Sequence, residues 1–165
     1  MKRILIAFGL LFSISAFSQQ ELRLDITDAL ALKTVEATFE YYVSDQSSIG
    51  VSALFNFEGR SSDFRYNEDR MLTPYFRHYF SADGNWNFFG ELFFGINTGE
   101  KENVVNNVTT YTDYTDGALG IGVGTKYVSE GGLVLDIHGG LGRNLFGSDS
   151  PIIVPRVGVG IGYRF

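Results

Sequence analysis

The 165-residue chain has no cysteine. That excludes a disulfide framework and any thiolate metal site. Proline is scarce, at 3 residues. Positive charge is in deficit, with 13 Lys and Arg against 19 Asp and Glu, for a formal net charge of −6. A phosphate binder needs a basic face, so no nucleic-acid partner is expected. Beyond the first residues there is no long uninterrupted apolar run, which excludes helical membrane spans of ~20 residues. Aromatics and glycine, by contrast, are abundant: 15 Phe, 9 Tyr and 20 Gly. Many aromatics and glycines with few prolines suit a β-rich chain better than a disordered one.

The start of the chain is organised differently from the rest. Lys2 and Arg3 are followed by a nearly all-apolar run over 4–12, then by Ala16-Phe17-Ser18 and polar Gln19-Gln20. This is the order of a secretory signal, with cleavage expected after Ser18. The alternative is an anchor that stays attached, but the run is short for a span. With no cysteine after it, a lipoprotein signal is excluded. The expected organisation is a signal peptide over 1–18 and one domain over 19–165. That domain would hold 147 residues (165 minus 18) at a net charge near −8 (−6 less the charges of Lys2 and Arg3).

From residue 22 onward, apolar residues recur at every second position, the period of a β-strand. Eight strands are expected, over 22–27, 34–43, 48–57, 71–80, 86–96, 116–127, 132–141 and 154–165. In the second, Val35, Ala37, Phe39, Tyr41 and Val43 share a face opposite Glu36, Thr38, Glu40 and Tyr42. In the last, Val157, Val159, Ile161, Tyr163 and Phe165 lie opposite Arg156, Gly158, Gly160, Gly162 and Arg164. The links alternate in length. Those over 44–47, 81–85 and 128–131 are tight and turn-rich. Those over 58–70, 97–115 and 142–153 are long and polar, and 28–33 is intermediate. Short turns at one end and long loops at the other are the profile of an outer-membrane barrel. An even strand count puts both termini at the short-turn end.

The two strand faces differ in kind. One is almost entirely Val, Ile, Leu, Phe and Tyr. The other carries Arg23, Asp25, Glu36, Glu40, Arg77, Glu91, Lys126, Asp136, Arg156 and Arg164, acids and bases in equal number. It is also dense in glycine, at Gly120, Gly122, Gly124, Gly158, Gly160 and Gly162. Glycines have little purpose on a solvated face. Inside a small barrel they make room for long partners, and buried charges must be paired. The polar face is therefore expected inward, as a lumen network of Glu36, Glu40, Arg77, Glu91, Lys126, Asp136, His138, Arg156 and Arg164. Arg77 and Glu91 lie symmetrically about the turn near residue 84, so they should meet across it. The apolar face would then meet lipid. Trp86, Phe88, Phe80, Tyr41, Tyr127, Tyr163 and Phe165 would form one interfacial girdle. The alternative assignment, apolar face inward and charge toward water, describes a soluble barrel binding an apolar ligand.

The chain ends Gly160-Ile161-Gly162-Tyr163-Arg164-Phe165. Gly160, Tyr163 and Phe165 resemble the terminal signal read by the outer-membrane barrel assembly machinery. Phe39-Glu40-Tyr41, the aromatic run Tyr75-Phe76-Arg77-His78-Tyr79-Phe80 and the glycine-rich last strands resemble the eight-stranded small barrels of the OmpA/OmpX type. They are closer still to the outer membrane protein beta-barrel domain family. The resemblance implies an all-β, antiparallel up-and-down transmembrane barrel in the cell outer membrane. Its expected partners are outer-membrane lipid, the assembly machinery during insertion and an unidentified surface partner.

Little in the sequence points to catalysis. His138 falls inward beside Asp136. His78 falls outward near a short turn with Ser81 close in sequence, but no acid is placed to complete a triad. Gly120-x-Gly122-x-Gly124 sits on a strand rather than at a strand-to-helix turn, so it is no nucleotide fingerprint. Asn67-Glu68-Asp69 lacks the spacing of a calcium loop. No catalytic residue, cofactor or metal is expected. The leading expectation is a structural or surface-interaction role for a barrel that presents loops. A lipid-modifying enzyme is a lesser alternative.

Overall fold

The computed structural model describes residues 19–26, 34–57, 68–81, 84–105, 108–147 and 150–165. The expected signal peptide over 1–18 lies outside the described residues, as do the link over 28–33 and most of that over 58–70. Eight strands run β1 (Gln20–Asp25), β2 (Thr34–Ser44), β3 (Ser47–Asn56), β4 (Glu68–Tyr79), β5 (Trp86–Val105), β6 (Val108–Val128), β7 (Leu133–Asn144) and β8 (Ile153–Arg164). Each pairs antiparallel with its sequence neighbour, and β1 closes the ring on β8 through pairs such as Leu24↔Ile161. The architecture is an all-β closed antiparallel barrel. A closed ring leaves no unpaired edge along the wall.

Alternation decides what lies inside. On β4, Met71, Thr73, Tyr75, Arg77 and Tyr79 are buried while Leu72, Pro74, Phe76 and His78 are exposed. The exposed set includes some of the most apolar side chains in the chain: Ile121, Val123 and Val157 are 68–69% bare. Outward glycine is the exception and inward glycine the rule. A Cβ at Gly120 would collide with the ring of Phe93, and one at Gly124 with the ring of Phe89. Both rings are themselves almost fully buried in the lumen. The inward glycines of β6 are thus the space into which the inward aromatics of β5 fold, because a small barrel has only its own side chains to fill it.

One expectation about the links is corrected. Residues 97–115 were read as a loop, but β5 and β6 continue through them as a paired ribbon, from Thr98↔Thr115 up to Val105↔Val108. The ribbon rises beyond β4 and β7, whose pairing with it stops at Gly99 and Ala118. Backbone pairing runs along its whole length, and no period-2 run of apolar residues marks one side of it as a core face. At the opposite end the turns are tight. Gly132 takes a positive φ of 85° between β6 and β7, a conformation that glycine adopts without steric cost.

Candidate functional site

The lumen falls into three layers along the barrel axis. Toward the short turns lies a dense ion-pair network. Above it an apolar layer of Leu54, Met71, Tyr75, Phe93, Ala118 and Val154 is buried. At the long-loop end the polar residues Thr34, Asn56, Glu68, Asn97, Tyr114, Asp116 and Asn144 follow on six of the eight strands.

Glu40 is the hub of the network. Its Oε1 accepts from Lys126 Nζ at 2.7 Å, Ser48 Oγ at 2.7 Å and Tyr79 OH at 2.5 Å. Its Oε2 accepts from Arg23 at 2.7 Å, Tyr75 OH at 2.8 Å and Arg77 at 3.3 Å. Arg77 also donates from Nε to Glu91 at 2.7 Å and from Nη1 to Asp136 at 2.6 Å. Glu91 takes a second guanidinium, that of Arg156, at 2.5 Å, and Arg156 reaches Glu36 at 3.0 Å. Lys126 bridges Glu40 to Glu21 at 2.7 Å, and Arg164 caps Glu21 from the last strand. His138 Nδ1 lies 2.9 Å from Asp136 Oδ1. All nine lumen residues singled out in the sequence are thereby brought into one connected set, together with Arg23 and Glu21.

Glu21 was not singled out, because it precedes the first apolar residue of the alternation. With it, the inward acids Glu21, Asp25, Glu36, Glu40, Glu91 and Asp136 face the inward bases Arg23, Arg77, Lys126, Arg156 and Arg164. Six acids meet five fixed bases, and the histidine sits against one of the acids. Aromatic faces take the remaining sides of the cations: the Arg77 guanidinium lies 4.0 Å from the centroid of Phe89 and 4.7 Å from that of Tyr75. Charges removed from bulk water are tolerable only where paired and hydrogen-bonded on this scale.

Gly160, Tyr163 and Phe165 face different sides of the wall. Tyr163 and Phe165 point outward, 5.9 Å apart ring to ring, while Gly160 faces inward beside Arg23 and Asp136. The rings of Trp86 and Tyr127 lie 5.3 Å apart, tilted by 51°, at the same end. His78 is outward and exposed, and its Nδ1 lies 3.1 Å from Ser47 Oγ rather than beside Ser81. Ser81 Oγ accepts the Phe88 amide at 3.2 Å.

At the long-loop end Asp116 is a loop anchor. Its carboxylate accepts from the backbone amides of Gly117 at 2.6 Å, Phe146 at 2.9 Å and Gly147 at 2.8 Å, and from the Ser150 hydroxyl. Burial acts to raise its pKa. The hydroxyl and amide donors outweigh that and hold it down at about 2. Glu68 is the opposite case. Its residue is fully buried, yet neither carboxylate oxygen has a partner. Burial pushes its pKa up to about 7, against the lowering pull of its own backbone amide, with the neighbouring Asp69 adding to the rise. Among the described residues no group of three His, Cys, Asp or Glu side chains is placed to hold a metal ion.

No protein-family model matches the sequence, and no curated protein matches it. Solved structures do. The N-terminal β-barrel domain of OprF from Pseudomonas aeruginosa is 13% identical, over 90% of this chain and 96% of that one, with a TM-score of 0.60. Neisserial surface protein A is 10% identical, over 90% of this chain and 94% of that one, with a TM-score of 0.55. The chain shares the fold of these small barrels across nearly their whole length.

Proposed function

We propose that this protein is an integral outer-membrane barrel that exposes the β5–β6 ribbon to the exterior and acts as a structural or surface-interaction protein. The observation that carries the reading is the inversion of burial: among the described residues twelve side chains of charged type are buried while Val, Ile, Leu and Phe cover the outer wall. In water that wall would be a very large apolar patch. In lipid it is the expected surface, and a strand of about ten tilted residues spans the ~25 Å apolar band. On β4, β5 and β6 the outward apolar run ends at Leu72, Ile96 and Leu119, and Arg70, Thr98 and Thr115 follow. Glu68, the long-loop rim and the ribbon lie beyond that edge. The two solved barrels of the same fold, from OprF and the neisserial surface protein, support an envelope location.

In this reading the 1–18 segment directs export, and Gly160, Tyr163 and Phe165 present the chain to the assembly machinery. The filled lumen argues against a general diffusion pore, because eight strands enclose only enough space for side chains. Among the described residues His78 and Ser81 have other partners, Ser47 and the Phe88 amide. The test is topological. An epitope tag inserted between Asn106 and Asn107 should bind antibody on intact cells, and one at Glu130 should bind only after the outer membrane is opened. The reverse pattern would overturn the orientation. Access to neither tag without detergent lysis of the whole cell would overturn the surface role.

A further inference from the structure

Three inward residues of the long-loop rim, Glu68, Asn97 and Thr34, carry side-chain oxygens that no described residue partners. Glu68 is fully buried with both carboxylate oxygens unpartnered. Asn97 is fully buried, and its Oδ1 is unpartnered as well. The orientation of that amide is fixed by its neighbours. Asn144 donates its own Nδ2 to the Pro151 carbonyl at 2.8 Å, so its Oδ1 is left to accept. Asn97 must offer Nδ2 to that oxygen, at 2.8 Å, and turn its Oδ1 away. Thr34 is a third fully buried rim residue whose hydroxyl oxygen has no partner.

These groups lie on one arc. Thr34 on β2 stands opposite Asn56 on β3, and Asn56 Nδ2 donates to the Glu68 carbonyl at 3.3 Å. Glu68 on β4 stands opposite Gly99 on β5, two residues from Asn97. That makes Asn97 a diagonal neighbour, about 7–8 Å away through the backbone. Gly99 in turn stands opposite Tyr114 on β6, whose side chain is buried. No side chain at Gly99 separates Glu68 from Tyr114. A bulge between Glu68 and Arg70 turns Glu68 inward.

A buried carboxylate with no donor is costly, and so is a buried amide oxygen. A hard cation removes both costs at once, since it accepts oxygen ligands of mixed charge. We propose that this rim binds Ca²⁺, through the Glu68 carboxylate and the Asn97 amide oxygen, with the Thr34 hydroxyl oxygen on the same arc and water completing the shell. Ca²⁺ fits better than Mg²⁺ because it tolerates irregular shells of six to eight oxygens, whereas Mg²⁺ demands near-ideal octahedral geometry. A single carboxylate gives a weak site, of the order of 10⁻⁴–10⁻³ M, in the range of extracellular calcium modules. The acids Asp69 and Asp116 at the same end add attraction.

The inference stands on the rim geometry and holds whether or not the barrel's surface role is correct. Its test uses the full mature chain refolded in detergent. Tb³⁺ added to it should give saturable luminescence on tyrosine excitation, with Tyr114 as the nearby donor, and millimolar Ca²⁺ should displace it. Glu68→Gln, which keeps the shape, should weaken Ca²⁺ competition by about tenfold or more. Asn97→Asp, which adds a ligand charge, should strengthen it by a similar factor. Asp113→Asn, an exposed acid at the same end, should leave it unchanged. Absence of saturable binding, or equal loss in Asp113→Asn and Glu68→Gln, would overturn the site in favour of diffuse surface charge. So would an infrared carboxylic-acid band that persists in saturating Ca²⁺ and vanishes in Glu68→Gln, because a proton would then hold the position.

Discussion

The two ends of the lumen follow one construction rule and reach opposite results. Both are built from inward positions of alternating strands. At the short-turn end Glu21, Glu91 and Asp136 each meet two or more partners, and Glu40 alone accepts from Lys126, Ser48, Tyr79, Arg23, Tyr75 and Arg77. At the long-loop end Glu68, Asn97 and Thr34 present side-chain oxygens that no described residue satisfies. The apolar layer of Leu54, Met71, Phe93, Ala118 and Val154 separates them. The difference teaches that burial of polar groups is not one phenomenon. A saturated network fixes the wall, because each cation ties together strands distant in sequence. An unsaturated rim is a standing cost unless something from outside completes it.

The largest test of that contrast is at the hub. Glu40→Ala leaves Lys126 and Arg23 short of a counter-charge, and should lower unfolding stability in micelles by about 3–5 kcal/mol or more. Urea titration followed by gel mobility of the unheated protein would read it. Arg77→Ala should come next, losing roughly 3 kcal/mol, since Glu91 and Asp136 keep other donors in Arg156 and His138. Arg77→Met combined with Glu91→Leu should lose less than the sum of the two single changes, as coupled partners do.

The wall offers the next comparison, between neighbours in sequence. Leu92 faces outward beside inward Glu91. Leu92→Lys should obstruct insertion by roughly 2–4 kcal/mol if the residue sits near mid-bilayer. Folding yields in vesicles, measured beside those of Glu91→Gln, would separate a lipid-face effect from a lumen effect.

Glu68 should invert the sign seen at Glu40. In chelator at pH 8, Glu68→Leu should stabilise the barrel by about 1–3 kcal/mol, by removing an unpartnered buried charge. The pH dependence follows from its raised pKa. The folded state holds the proton up to about pH 7 while the unfolded carboxyl loses it near 4.5. Stability is therefore greatest below about 4.5 and declines as pH rises toward 7. The advantage of Glu68→Leu should open across that window, and a constant difference from pH 4 to 8 would contradict the assignment. Asp116 should show the smallest global effect and the opposite pH sense. Its depressed pKa keeps the anchor to Phe146 and Gly147 intact until the pH falls toward about 2. Asp116→Ala should speed hydrogen exchange at those two amides while barely moving the unfolding midpoint.

The wall and most of the lumen network were legible in the sequence, for a physical reason. A strand between two different environments must alternate, so Leu22 to Phe165 carried both the strand count and the choice of inward residues. Arg77 and Glu91 could be paired simply from their symmetry about the turn at Gly84. Three features were not legible. Glu21 sits before the first apolar position and offers no alternation to phase it. The ribbon over 98–115 has no period-2 run of apolar residues in its sequence, so its pairing leaves no two-tone pattern. Glu68 is turned inward by a bulge, and a phase break of one residue moves a side chain to the other face without leaving a mark in composition.

The central claim is that charge lies inside this barrel and lipid outside. Fractionation of the native cells, with the gel mobility of unheated and boiled samples compared, tests it most directly. The account predicts recovery in the outer-membrane fraction, release only by detergent, and a mobility that changes on boiling as the closed barrel opens. Release of a soluble, detergent-independent protein by osmotic shock would contradict it.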